Sequence, residues 1–161
     1  MLLNGEWKCI LIKAGDVPQT FSAVVPGCIH TDLKRAGVIG DYFYRDNAEK
    51  IRWIENCDVT YQKQFDVDSV ENNEYLRFEG LDCYCDIYLN NIKIGAADDM
   101  FIPYEFSAEN VLMAGTNLLE VKFRSPIKEV AGRPKRDGAF TTERLYTRRE
   151  QCTYGWDWVT R

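Results

Sequence analysis

A four-residue segment near the C-terminus combines side chains that suit a sugar. It places Asp157 between Trp156 and Trp158, directly after Gly155. An indole ring offers a flat apolar face to the C–H side of a pyranose, and an ionised aspartate accepts hydrogen bonds from two neighbouring hydroxyls. A Trp-x-Trp pair on a strand also places both rings on one face, and such pairs more often fill a core. Spacing alone therefore leaves a sugar platform and core packing open, with packing favoured.

The rest of the chain offers few groups for catalysis. A glycosidase needs two carboxylates about 5–10 Å apart, but the candidates Asn73-Glu74, Glu79 and Asp98-Asp99 are better explained as solvated loops and turns. His30 is the only histidine, which leaves little for a metal site or a Ser-His nucleophile; we expect it to be a hydrogen-bonded histidine near a helix N-terminus. No glycine-rich phosphate loop occurs. We therefore expect no complete active site, no metal and no cofactor.

Composition and charge indicate a globular chain with two chemically different parts. Aromatic residues make up 13% of the 161 residues, which favours β structure, and the formal net charge is −5. An acidic chain lacks the clustered Lys and Arg that bind nucleic acid. Residues 1–125 carry a net charge of −8, whereas residues 126–161 carry +3. The C-terminal part is therefore distinguished by its basic character.

The cysteines and the hydropathy suggest a reducing compartment. The six cysteines fit no zinc-binding spacing, so we expect free thiols, with Cys83 and Cys85 on one buried face of a strand. There is no apolar run of about 18 residues, and residues 1–6 lack the basic and apolar regions of a signal peptide. The sequence therefore predicts a cytoplasmic protein without a membrane partner.

Alternation of apolar and polar residues predicts an all-β fold. Eight strands are predicted at short intervals with little helix between them, which is typical of an antiparallel β-sandwich or barrel. Asn90-Asn91 predicts a two-residue hairpin turn, because Asn tolerates positive φ. One short helix is predicted at residues 31–37, with Thr31 as its N-cap and Gly37 as its end, and a second helical turn after Asn47. The predicted strands are residues 7–12, 21–25, 58–65, 74–79, 84–89, 92–96, 104–106 and 117–123.

Residues 126–161 interrupt this pattern. The part at residues 132–138 has no apolar face and predicts a loop, and long loops inside compact domains are often functional. We therefore expect residues 1–125 to form the core of the sandwich, and residues 126–161 to form a basic loop and the final segment of the same domain.

Several motifs, taken in order, resemble the N-terminal domain of β-mannosidases of glycoside hydrolase family 2. The resemblance spans residues 7–158, and the first and last motifs together point to the mannosidase branch of that family. The motifs are Val25-Pro26-Gly27-Cys28-Ile29-His30-Thr31-Asp32-Leu33, Phe43-Tyr44-Arg45-Asp46-Asn47, Arg52-Trp53-Ile54, Phe78-Glu79-Gly80-Leu81-Asp82, Ile87-Tyr88-Leu89-Asn90, Gly138-Ala139-Phe140-Thr141-Thr142-Glu143-Arg144 and Gly155-Trp156-Asp157-Trp158.

The resemblance implies a jelly-roll, galactose-binding-like β-sandwich with one or two short helices. In this family such a domain precedes an immunoglobulin-like domain and a (β/α)8 barrel that carries both catalytic glutamates. We therefore expect the chain to be an inactive fragment of a retaining β-mannosidase, which hydrolyses terminal non-reducing β-D-mannose in β-mannosides or manno-oligosaccharides. By resemblance, Asp157 binds sugar hydroxyls, and Trp156 and Trp158 form a wall of the pocket.

The family pattern continues after the second tryptophan with Gly-Pro-Arg, whereas this chain has Val159-Thr160-Arg161. Two other functions remain open on the sequence. One is a stand-alone carbohydrate-binding module that uses exposed aromatic residues. The other is a structural domain that buttresses the barrel of another family 2 glycosidase.

Overall fold

The computed structural model describes residues 1–138 and 141–154, and β-strands form most of its regular structure. Eight strands lie within these ranges, each at a position where alternating side chains predict one. They are β1 (Gly5–Ile12), β2 (Gln19–Val25), β3 (Asp58–Val67), β4 (Tyr75–Phe78), β5 (Cys85–Leu89), β6 (Ile92–Ala97), β7 (Tyr104–Ser107) and β8 (Gly115–Phe123).

The strands form two antiparallel sheets. The larger has the order β2-β1-β3-β8-β5-β6, and β4 and β7 form the smaller. The pairing of β3 with β8 is the longest, with nine paired positions from Val59–Phe123 to Val67–Gly115. The two sheets and their antiparallel pairing confirm the predicted β-sandwich.

One face of the large sheet packs against two different covers. Over β1, β2 and β3, the cover is a helical region that contributes Leu33, Ile51 and Ile54 to a buried cluster. Over β8, β5 and β6, the cover is the small sheet, whose Leu76, Phe78, Tyr104 and Phe106 pack on Ile87, Leu119 and Val121. The absence of a side chain at Gly95 permits this packing, because a Cβ there would overlap the ring of Phe106.

The first helix, α1 (Ile29–Arg35), begins two residues earlier than the sequence predicts. The prediction of Thr31 as N-cap is wrong: Cys28 occupies that position, and the Thr31 hydroxyl donates to the Cys28 carbonyl at 2.7 Å from inside the helix. Serine and threonine side chains often bond to a carbonyl three residues earlier in this way. Gly37 follows the helix with φ +73°, as its predicted role as a stop requires.

Asp32 joins α1 to the sheet. Its carboxylate is 1% exposed and accepts hydrogen bonds from the Val24 amide (3.1 Å) and the Tyr61 hydroxyl (3.1 Å), and the Arg35 guanidinium lies at 3.2 Å. A buried carboxylate is stable when donors surround it. The side chain therefore fixes the helix to both β2 and β3.

The other helices are short. They are α2 (Asn47–Lys50), α3 (Pro126–Glu129) and α4 (Glu143–Tyr146), together with 3₁₀ segments at Arg52–Asn56 and Gln151–Tyr154. In the described part of the chain, no helix is both long and apolar enough to span a membrane.

The side chains of Asn90 and Asn117 hold the β5–β6 turn. Asn90 and Asn91 have φ values of 51° and 66°, which confirms the predicted hairpin turn. Asn117 is only 1% exposed. Its side-chain Oδ1 accepts hydrogen bonds from Asn90 Nδ2 at 2.8 Å and from Met113 N at 3.0 Å. Its Nδ2 donates to Met113 O at 2.7 Å and to Gly115 O at 3.0 Å. Asn90 in turn accepts from Leu118 N at 2.9 Å. The network joins the turn to the start of β8.

Replacing Asn117 should destabilise the domain strongly. In Asn117→Leu, several buried donors and acceptors lose their partner, and each such group costs about 1–3 kcal/mol. We expect the free energy of unfolding to fall by about 2–4 kcal/mol, measured by urea denaturation. Asn72→Ala, in the exposed turn before β4, is the control and should change it by less than about 0.5 kcal/mol. Equal midpoints for both variants would contradict the role of the network.

The six cysteines are free, as the sequence predicts. Burial raises the pKa of Cys9, Cys83 and Cys85 to about 12. Cys28 is exposed and differs, because hydrogen bonding to His30 lowers the pKa of its thiol to about 7. The His30 ring also contacts Tyr42 edge-on at 5.9 Å, whereas its Nε2 is buried without a hydrogen-bond partner among the described residues.

Cys28 should therefore be the first cysteine to react with iodoacetamide at pH 7. At a pKa of about 7, about half of this thiol is ionised, and the thiolate is the reactive form. Mass spectrometry after brief alkylation should show carbamidomethylation at Cys28 first, and His30→Ala should slow that reaction. Faster reaction at Cys152 than at Cys28 would contradict this assignment.

Candidate functional site

The predicted sugar-binding residues Trp156, Asp157 and Trp158 lie outside the residues that the structure describes. The description extends to Tyr154, one residue before Gly155. The site is therefore built up here from the residues that lead to it, 141–154, which we name the tail segment.

Backbone contacts join the tail segment to the loop between β6 and β7. Met100 N donates to Arg148 O at 3.0 Å, and Glu150 N lies 3.1 Å from the Met100 sulfur. Asp99 and Arg148 form an isolated parallel bridge. The tail segment thus runs beside this loop at one end of the sandwich.

A second loop, between β4 and β5, holds the tail segment through an ion pair. The Arg149 guanidinium donates to Asp82 Oδ2 at 2.6 Å, and the two side chains are 25% and 37% exposed. Burial raises the pKa of the Asp82 carboxyl above its usual range, although Arg149 opposes that shift. Short charge-assisted bonds of this kind are among the stronger ones in proteins.

Arg149 also lies against Tyr154. Its guanidinium carbon is 5.8 Å from the centre of the Tyr154 ring, and Tyr154 is only 6% exposed. Guanidinium groups are attracted to the faces of aromatic rings at this distance. Arg149 therefore contacts both the β4–β5 loop and the last described residue before the predicted site.

Three further contacts attach the tail segment to the sandwich. Tyr84, just before β5, donates its hydroxyl to Tyr146 O at 2.9 Å. Arg148 pairs with Asp99 at 3.3 Å and lies 5.8 Å from the ring centre of Phe101, which is 57% exposed. The Arg148 side chain is 70% exposed, so this pair contributes much less to stability than the half-buried one.

Two depressions on the described surface do not by themselves form a sugar pocket. The larger, of about 800 Å³, opens on the outer side of β1, β2 and β3 and includes Lys8, Ser22 and Gln62. A smaller one, of about 340 Å³, lies between Tyr84, Asp98 and Arg124. Both are shallow and open to solvent, and neither contains a residue of the tail segment. Within residues 1–138 and 141–154, no three acidic, Cys or His side chains are grouped to hold a metal.

Sequence reasoning missed the residues that attach the tail segment. The sequence predicts that Asp99 lies in a solvated turn, with no partner that spacing identifies, and it gives no role to Asp82 or Arg149; in the structure these side chains form the ion pairs Asp99–Arg148 and Asp82–Arg149. The available signal was the charge contrast between an acidic sandwich and a basic C-terminal part. That contrast predicts attraction between the two parts but not the pairs themselves.

Comparison with protein families gives one match across most of the chain. A family model described as "Glycosyl hydrolase 2 galactose-binding domain-like" matches residues 10–161. Beta-mannosidases of Bos taurus and Capra hircus are 33% and 34% identical to the chain, each over 97% of it. The chain spans only 19% of the length of these relatives.

Solved structures agree with this match. A beta-D-mannosidase from Dictyoglomus thermophilum has a TM-score of 0.89 and 37% identity, over 100% of this chain and 20% of that one. An exo-chitosanase from Amycolatopsis orientalis, at 16% identity and a TM-score of 0.63 over 73% of this chain and 16% of that one, shares the fold. Beta-mannosidases match the chain over nearly its whole length, and the chain belongs to the galactose-binding-like domain family of glycosyl hydrolase 2.

Proposed function

We propose that the chain is the N-terminal domain of a retaining β-mannosidase and supplies one wall of its mannose-binding pocket. The observation that carries the proposal is the match to beta-mannosidases over 97% or more of the chain, including the structure with a TM-score of 0.89. The complete protein hydrolyses terminal non-reducing β-D-mannose residues from β-mannosides. The catalytic carboxylates belong to a barrel domain beyond the chain.

The different roles proposed for this domain and for the barrel follow from the chemistry of the reaction. A retaining glycosidase uses two carboxylates about 5–5.5 Å apart, and hydrogen bonds to ring hydroxyls strengthen in the transition state. Asp157 accepts such bonds from the mannose, and Trp156 or Trp158 packs against its apolar face. Residues on a rigid sandwich can perform this task without taking part in bond cleavage.

The attachment of the tail segment supports this role. Residues 148–150 contact two loops at one end of the sandwich, and Tyr154, the residue before Gly155, is buried and lies against Arg149. When the chain before Gly155 is held in place, less conformational entropy is lost as the following residues bind a ligand. The shallow depressions of the described surface agree with a pocket that needs a second domain.

The boundaries and the compartment belong to the same proposal. Residues 1–125 form the sandwich core and residues 126–161 its final segment, followed in the complete protein by the immunoglobulin-like domain and the barrel. On its own, the 161-residue chain has no β-mannosidase activity. The six free thiols favour the cytoplasm as its location.

The central test is replacement of Asp157 in the full-length protein. Asp157→Ala removes charge-assisted hydrogen bonds worth about 1.5–3 kcal/mol each, so kcat/KM on p-nitrophenyl β-D-mannopyranoside should fall about 100-fold or more. The reaction is followed by release of p-nitrophenol at substrate concentrations below KM. Asp137→Ala, in the exposed loop of the same basic segment, should leave kcat/KM unchanged.

Other outcomes would point to the other two functions. Unchanged kinetics in Asp157→Ala, together with a lower melting temperature for changes at residues 155–158, would indicate a domain that only buttresses the barrel. Binding of mannobiose by the separate 161-residue chain in titration calorimetry would indicate a self-sufficient carbohydrate-binding module. We expect no measurable binding, because part of a pocket leaves most sugar hydroxyls in water.

A further inference from the structure

The contacts of Arg149 differ from those of the other arginines in the tail segment. The Arg148 side chain is 70% exposed and pairs with Asp99, whereas Arg149 is 25% exposed and lies between Asp82 and Tyr154. One side chain thus links a loop of the sandwich, at 2.6 Å, to the residue that precedes Gly155. Arg149 can therefore hold Tyr154 at a fixed position relative to the sandwich.

The Asp82–Arg149 pair is partly exposed: the Arg149 side chain is 25% exposed and the Asp82 side chain 37%. The ion pair is short, with Arg149 Nη2 and Asp82 Oδ2 2.6 Å apart. Short, charge-assisted bonds to a guanidinium hold a more defined geometry than long surface pairs, which water and salt weaken. Removing one partner leaves the other charge partly buried and unpaired, so the remaining side chain moves to find solvent.

Arg149 retains further hydrogen-bonding capacity at this position. A guanidinium has five N–H donors in a fixed plane, and one nitrogen of Arg149 is used by Asp82. Its Nε is buried and has no hydrogen-bond partner within residues 1–138 and 141–154. A buried donor of this kind can bind a further acceptor.

We infer that Asp82 and Arg149 are positioning residues for the mannose-binding segment: their ion pair, together with the packing of Arg149 on Tyr154, sets where Asp157 meets the sugar. This inference rests on the proposed function and adds two residues to it. Neither side chain touches the substrate. Their effect on the reaction passes through Asp157, which distinguishes them from residues that only stabilise the fold.

A double-mutant cycle in the full-length protein tests this dependence. Asp82→Asn keeps the size of the side chain and removes its charge. With Asp157 present, it should lower kcat/KM on p-nitrophenyl β-D-mannopyranoside about tenfold. In the Asp157→Ala background, the same change should lower kcat/KM less than about twofold, because the group that it positions is absent.

Two further variants make the cycle specific. Arg149→Lys keeps the positive charge but loses the planar group that lies on Tyr154, and it should show the same dependence on Asp157. Asp86→Asn is the matched control: this half-buried carboxylate pairs with Lys93 at 2.7 Å and Arg124 at 2.8 Å, and has no ion pair with the tail segment. It should leave kcat/KM unchanged in both backgrounds. Melting temperatures recorded for every variant separate loss of folded protein from loss of positioning.

The possible results separate this inference from the proposed function. Equal loss of kcat/KM from Asp82→Asn in both backgrounds, or no loss in either, would overturn the positioning role and leave the role of Asp157 intact. An unchanged kcat/KM in Asp157→Ala alone would overturn the proposed function, and with it the role given to Asp82 and Arg149.

Discussion

The antiparallel pairing of β3 with β8 is the interaction on which the rest of the domain depends. Its nine paired positions join the N-terminal strands, which reach the sheet through β1, to β5 and β6, which reach it through β8. Both buried clusters use side chains from this ladder: Val59 lies in one, and Leu119 and Val121 lie in the other. Without the ladder, neither the helical cover nor the small sheet would have a continuous surface to pack on.

Different interactions stabilise the two ends of the β5–β8 pair. Leu89 pairs with Leu119 near one end, where the Asn90–Asn117 network closes the turn with all four hydrogen bonds of the Asn117 amide satisfied. Cys85 pairs with Phe123 near the other end, where Asp82, Tyr84 and the tail segment meet. Uncharged hydrogen bonds stabilise the first end, and ion pairs attach the candidate site at the second.

The parts that sequence predicts are those that local pattern determines. All eight strands follow from alternation of side chains, and the β5–β6 turn follows from the tolerance of Asn90 and Asn91 for positive φ. The sequence predicts the start of α1 too late because Thr31, a residue type that often caps helices, donates its hydroxyl back to the Cys28 carbonyl instead. The pairs Asp82–Arg149 and Asp99–Arg148 join residues 67 and 49 positions apart, and nothing in the local sequence selects these partners among the other charges. The family resemblance named Asp157 and both tryptophans, but not the side chains that hold the approach to them.

These long separations set an order of assembly. The tail segment binds through the loops beside β5 and β6, so its contacts can form only after those strands have joined the large sheet. Closing a long loop is entropically unfavourable until the surface that receives it exists. During synthesis, the sandwich can therefore fold while residues 141–154 are still emerging, and the tail segment attaches to it as the last step. Arrest or misfolding of the β5–β6 hairpin would thus leave the predicted site unformed, even in a chain that contains every residue of it.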